Sequence, residues 1–134
     1  MEQVEVIVEW GPLMTQEKVA AACLAYGPEG VIEQFRGEWT PESPTCNYCW
    51  VVCEVAYRLV MPKGTTVWII YRGGNRRHWF LKDPDGRIID LTFSQFRNWW
   101  DIPDYSRGIP YRFWPKMSNR GKKLAELLGI EVKK

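Results

Sequence analysis

His78-Trp79-Phe80-Leu81-Lys82-Asp83-Pro84-Asp85-Gly86-Arg87-Ile88-Ile89-Asp90-Leu91-Thr92 is the stretch whose reading decides the fold. Two runs of apolar and β-branched residues flank Asp83-Pro84-Asp85-Gly86, the sequence expected of a hairpin whose loop is a type I turn closed by a glycine in the left-handed region. Such a loop pairs Asp83 with Arg87. Counting back along both strands places Phe80 opposite Asp90 and His78 opposite Thr92, all on one face, with Asp90 the diagonal neighbour of His78. The other face carries Trp79, Leu81, Ile89 and Leu91, a coherent apolar set. A two-residue loop would separate His78 from Asp90, so the turn decides whether the two side chains can meet.

Working outward, residues 65–71 are rich in β-branched and aromatic types and read as a strand, followed by the basic turn Arg72-Gly73-Gly74-Asn75-Arg76-Arg77. Residues 43–61 open with capping types, stay largely apolar and stop before Pro62 and Gly64, as a buried helix would. Thr15 can cap a helix over Gln16–Tyr26 that Gly27 stops. Val4, Val6 and Val8 alternate as in a short strand or extended arm. Residues 27–45, with Pro28, Pro41 and Pro44, read as irregular, with one helical turn near 31–35. A short helix over 94–100, a Pro- and Tyr-rich crossing to Pro115 and a capped helix over 118–128 complete the chain. Helices come first and strands cluster afterwards, which predicts an α+β domain: a central helix bearing Cys49, packed on an antiparallel sheet that contains Tyr71, His78 and Asp90.

At 134 residues, 46% hydrophobic and 25% charged, the chain is sized for one domain over 1–134. With 18 basic against 16 acidic residues the net charge is +2, so the overall balance demands neither a nucleic acid nor an anionic membrane as partner. The first ten residues have neither a basic region nor a long apolar run, and no stretch approaches the roughly 20 apolar residues that span a bilayer. The expected location is the cytoplasm. There, four cysteines are expected to be free thiols rather than bridges. A single histidine, His78, excludes any mechanism that needs two.

Cys46, Cys49 and Cys53 are spaced so that on a helix all three lie along one face. Cys46 and Cys49 would sit in the first turn, where unpaired N–H groups and the helix dipole favour a thiolate. Cys23, among alanines, and Cys53, a turn deeper, read as core residues. A nucleophilic thiol needs a base, and His78 is the one histidine available. Asp90 sits between Ile89 and Leu91, a place for a carboxylate only if something pairs with it. Orienting a histidine is one such use; capping the turn after it is another.

These residues resemble a known family. Cys46-Asn47-Tyr48-Cys49-Trp50 is similar to the Cys-x-x-Cys-Trp that opens the central helix of papain-like cysteine proteases. His78-Trp79, Ile88-Ile89-Asp90-Leu91-Thr92 and Ser94-Gln95-Phe96 resemble the corresponding stretches of the small YunG-like proteins, which are similar to papain-like and transglutaminase-like thiol enzymes. The resemblance implies a papain-like core. It makes Cys49 the nucleophile, His78 the acid and base, and Asp90 the orienting carboxylate of a cysteine-dependent hydrolase, with Trp50, Ser43 and Trp79 beside a peptide or amide substrate and no cofactor. It departs from the papain pattern at Ser43, where that pattern has a glutamine donating to the oxyanion, so the hole is unassigned beyond the Cys49 N–H.

Two other classes use the same chain differently. Cys46, Cys49, Cys53 and His78 are ligands enough for a tetrahedral zinc site, although three within two helical turns is unusual spacing. Residues 93–114 interleave Trp99, Trp100, Tyr105, Tyr111, Phe113 and Trp114 with Arg97, Arg107 and Arg112, like a stacking surface for bases or a protein partner. The simpler reading gives these rings to the core and groove of a small domain, with Lys122, Lys123, Lys133 and Lys134 as a solvated face and tail. Arg72, Arg76 and Arg77, just before His78, are placed to steer an anionic or carboxylate-bearing substrate toward the site.

Overall fold

A computed structural model describes residues 5–74 and 76–132, so the readings of Val4, Asn75, Lys133 and Lys134 lie outside the described residues. The hairpin forms in the register its turn predicts. Strand β3 (Arg77–Lys82) pairs antiparallel with β4 (Ile88–Ile89), Leu81 facing Ile89 and Lys82 facing Ile88. Asp83 N donates to Arg87 O at 3.0 Å and Gly86 N to Asp83 O at 2.9 Å, with Gly86 at φ +84°. The Asp83 carboxylate fastens the loop, accepting from the backbone N–H groups of Asp85 and Arg87 and from Arg87 Nε at 2.6 Å.

β4 ends after two residues, because the chain turns at once: Phe93 N donates to Asp90 O at 3.2 Å. Thr92 therefore does not pair with His78 as an extended hairpin would have it. The far side of β4 is taken by β1 (Val6–Ile7), which runs parallel to it. On the other side of β3 lie β2 (Thr66–Tyr71) and then β5 (Ile109–Tyr111), both in antiparallel pairs. The sheet, ordered β1-β4-β3-β2-β5, is thus mixed where an antiparallel one was expected. The arm of alternating valines supplies the parallel edge.

Helix α1 (Gln16–Tyr26) is capped by Thr15, whose hydroxyl accepts from Lys18 N at 3.1 Å, and ends at Gly27 with φ +75°. Helix α2 (Cys49–Val55) widens into a π turn over Ala56–Val60. It starts later than the sequence predicts, because residues 43–48 are spent on turns: Cys46 N bonds Ser43 O, Tyr48 N bonds Thr45 O, and Asn47 stands at φ +64°, which no right-handed helix contains. Cys46 is therefore off the helix, and the three-thiol face reduces to Cys49 and Cys53. Helix α3 (Asn119–Leu128) is capped by Ser118 and lies against α1 and α2, while α2 lies against β3. The expected helix over 94–100 resolves into 3₁₀ turns at Phe93–Gln95 and Trp99–Asp101.

The main core lies between the helices and one sheet face: Val52, Cys53 and Val55 of α2 and Leu124 of α3 meet Val67, Leu81 and Ile89. The other face carries Ile70 and Phe80 against Tyr105. Glu54 is buried within the helical layer. Its carboxylate accepts from Arg58 Nε at 3.1 Å, from Ser118 N at 3.0 Å and from the Ser118 hydroxyl, so one anion ties α2 to the start of α3. Residue 121 is glycine because a Cβ there would overlap this carboxylate. The tryptophans divide: Trp10, Trp39, Trp50 and Trp79 pack on the core, but Trp99, Trp100 and Trp114 are exposed at 79, 64 and 77%, against the expectation that they close it. Among the described residues no helix is long and apolar enough to cross a membrane.

Candidate active site

The hairpin and the head of α2 bring Cys49, His78 and Asp90 together. His78 points to the Phe80 face of β3, and Asp90, one residue past β4, points to the same face. His78 Nε2 and Asp90 Oδ2 are 2.6 Å apart, and both residues are buried. A carboxylate in such a place must have its oxygens satisfied, and this one has. Oδ2 also accepts from the Tyr105 hydroxyl at 2.7 Å, and Oδ1 accepts from Thr92 N and Thr92 Oγ1 at 3.2 and 3.3 Å. The backbone N–H of Asp90 donates to Ile7 O at 2.8 Å. The two readings of Asp90 are both realised: it caps the turn after it and it holds the histidine.

Nε2 is committed to Asp90, which leaves Nδ1 as the ring nitrogen available to a thiol. Cys49, the first residue of α2, lines the same cleft wall as the ring, near enough for its thiol to help raise the ring's pKa. Its own hydrogen is directed at the carbonyl of Arg77, 3.9 Å from the sulfur. The site is thus tight at the carboxylate, while the thiol's hydrogen bond runs to the backbone rather than to the ring. Burial alone would lower the His78 pKa, but the Asp90 carboxylate and then the Cys49 thiol outweigh it and raise it to about 10. The ring therefore carries its proton at neutral pH. Phe96 packs edge-on over the imidazole, 4.9 Å between centroids, and keeps water from the ion pair.

The other thiols are not placed for this chemistry. Cys23 and Cys53 lie in the core, where burial pushes both thiol pKa values up. Cys46 is half-buried at the cleft, and burial, then the Glu38 carboxylate, raises its pKa. Among the described residues no group of three or more His, Cys, Asp or Glu comes close enough to hold a metal ion, so Cys46, Cys49, Cys53 and His78 do not assemble a four-ligand zinc site.

Cys49 and His78 open on a cleft of about 590 Å³, within the ordinary range for small-molecule and peptide sites. Trp50 and Trp79 line it as expected; Trp50 Nε1 donates to the Tyr111 hydroxyl at 3.1 Å. Ser43 does not line it and cannot stand in for an oxyanion donor. Gln95 does, but its amide nitrogen donates to Thr92 Oγ1 at 2.9 Å, which extends the Asp90 network instead. Tyr105 and Arg120 were missed in the sequence. Tyr105 is one of two tyrosines in an irregular crossing, with no spacing signal to tie it to Asp90. Arg120 sits on α3, far along the chain from every other cleft residue.

Neither family models, nor curated proteins, nor solved structures give a match to this chain, so its function has to be argued from its own residues and their geometry.

Proposed function

We propose that the protein is a cysteine-dependent hydrolase with a papain-like core, acting on an amide or peptide bond. The observation that carries this reading is the buried His78–Asp90 pair at 2.6 Å, with Cys49 on the wall of the same open cleft as the ring. The resemblance to YunG-like and papain-like sequences supports it, with cysteine, histidine and orienting residue in the same chain order.

In this reading Cys49 gives up its proton to water and, as the thiolate beside the His78 imidazolium, Sγ adds to the substrate carbonyl carbon. The imidazolium of His78 then gives its proton to the departing amine as the C–N bond breaks, leaving a thioester on Cys49. The neutral ring next takes a proton from water as that water adds to the thioester, and the C–S bond breaks to return the Cys49 thiolate beside the imidazolium and release the acid. Asp90 stays ionised throughout, fixing the tautomer and steadying the imidazolium, and Tyr105 and Thr92 hold Asp90 in turn. A ring that holds its proton at neutral pH enters the cycle as an acid. Hydrolysis rather than transfer is proposed, with water as the acceptor that resolves the thioester.

The test is acyl trapping. Incubation with a p-nitrophenyl ester, then intact-mass measurement and peptide mapping, is expected to place one acyl group on Cys49 and none in a Cys49→Ser variant. An unchanged adduct in that variant would refute the assignment and pass the role to Cys46.

A further inference from the structure

The cleft wall is basic. Arg72, Arg76, Arg77 and Arg120 line it against one carboxylate, Asp101. Two of these cations are already engaged: Arg76 is gripped by Glu38 through both terminal nitrogens, and Arg72 Nη2 donates to Asp101 O at 2.6 Å while its guanidinium lies over Phe96. Arg77 lies over Tyr71, an exposed ring. Arg120 differs from all three in burial, since Arg72, Arg76 and Arg77 are exposed. It is half-buried, lies 5.2 Å over the Trp50 ring next to Cys49, and donates Nη1 to Gly30 O at 3.1 Å. Among the described residues no ion pair joins it to a carboxylate. Burial lowers its pKa, outweighing the opposite pull of Tyr26 and of the Glu54 carboxylate. A planar fork of five donors with one carbonyl partner, opening on a cleft, is suited to receive two carboxylate oxygens side by side.

We propose that the acyl substrate of this cleft carries a carboxylate and that Arg120 binds it. The proposal rests on the acyl-transfer reading of Cys49 for its reaction, but the anion site itself does not. The Arg120 guanidinium lies over Trp50, the residue after Cys49, so a carboxylate on Arg120 of α3 is held beside a scissile carbonyl at Cys49 of α2. Substrates of this class are acyl groups with a terminal acid, or peptides with an acidic side chain or a free C-terminus near the cleaved bond.

Two measurements separate the site from the chemistry. Glutarate and its neutral counterpart glutaramide are titrated while the Trp50 indole N–H is monitored by NMR. Glutarate is expected to shift it and glutaramide to leave it unmoved. Arg120→Gln is expected to weaken glutarate binding by about tenfold or more, as removal of a charge-assisted contact does. Lys123→Gln, the same charge change at an exposed position of α3, is expected to leave it unaltered, and Arg120→Lys to retain part of it. Acylation of Cys49 by p-nitrophenyl hemiglutarate is then compared with p-nitrophenyl butyrate, and the intact protein is expected to prefer the anionic ester by about tenfold or more, a preference that Arg120→Gln removes. Equal binding of glutarate and glutaramide, or binding that Arg120→Gln and Arg120→Lys both leave intact, overturns the proposal. Selective glutarate binding without acylation by either ester upholds the anion site and overturns the thiol reading instead.

Discussion

Asp90→Asn is expected to strip the His78 ring of its proton at neutral pH. In the native site burial works against the charged ring, and the Asp90 carboxylate, with the Cys49 thiol, reverses the balance to give a pKa of about 10. Asparagine keeps the shape and the hydrogen bond but removes the charge, so burial prevails and the pKa falls below the ordinary 6.5. The chain has a single histidine, so one imidazole resonance tracked by NMR reports the whole effect. The same shift predicts a pH dependence of stability. A group whose pKa is raised on folding stabilises fully below its unfolded value and loses that contribution as pH rises through its folded value. The advantage of the native protein over Asp90→Asn should therefore be level only below the depressed pKa of the variant's ring and shrink steadily from there toward pH 10. A resonance that titrates near 6.5 in both proteins would show that the 2.6 Å contact carries no charge.

Glu54→Ala is expected to cost about 3–5 kcal/mol, the usual result of removing one partner from a buried ion pair. Arg58 would keep its contacts to the carbonyls of Trp114, Pro115 and Lys116 but lose its counter-ion, and the Ser118 N–H and hydroxyl would lose their acceptor at the start of α3. The midpoint of urea unfolding should fall by more than about 1 M. Because α3 carries Arg120 and packs on both other helices, its N-terminus should also be where hydrogen exchange quickens first. A loss below about 1 kcal/mol would mean that desolvation of this carboxylate offsets what it ties together.

Much of the site was legible in the sequence because it hangs on one short-range device. Asp83-Pro84-Asp85-Gly86 specifies its turn through local backbone preference alone, and the resulting register sets Asp90 diagonal to His78 before any tertiary contact is known. Helix α1 was legible for the same reason, with Thr15 and Gly27 marking its ends. The start of α2 was not. Capping residues at 43–45 suggest a helix, but the left-handed backbone at Asn47 interrupts it, and the preference of asparagine for that conformation competes with the apolar run beyond it. The parallel edge also escaped, since alternation in residues 4–8 gives a strand but not its partner. Tyr105 and Arg120 reach the site from segments whose only link to it is tertiary packing.

The central claim is that Cys49, though only 5% exposed, is the reactive thiol, while the more accessible Cys46 is not. Accessibility and activation predict opposite orders of reaction. The direct test is alkylation of the native protein at neutral pH with iodoacetamide held below one equivalent, with the adducts located by peptide mapping. The first adduct is predicted on Cys49, with Cys46 lagging and Cys23 and Cys53 unmodified; a first adduct on Cys46 with Cys49 left intact would contradict the claim.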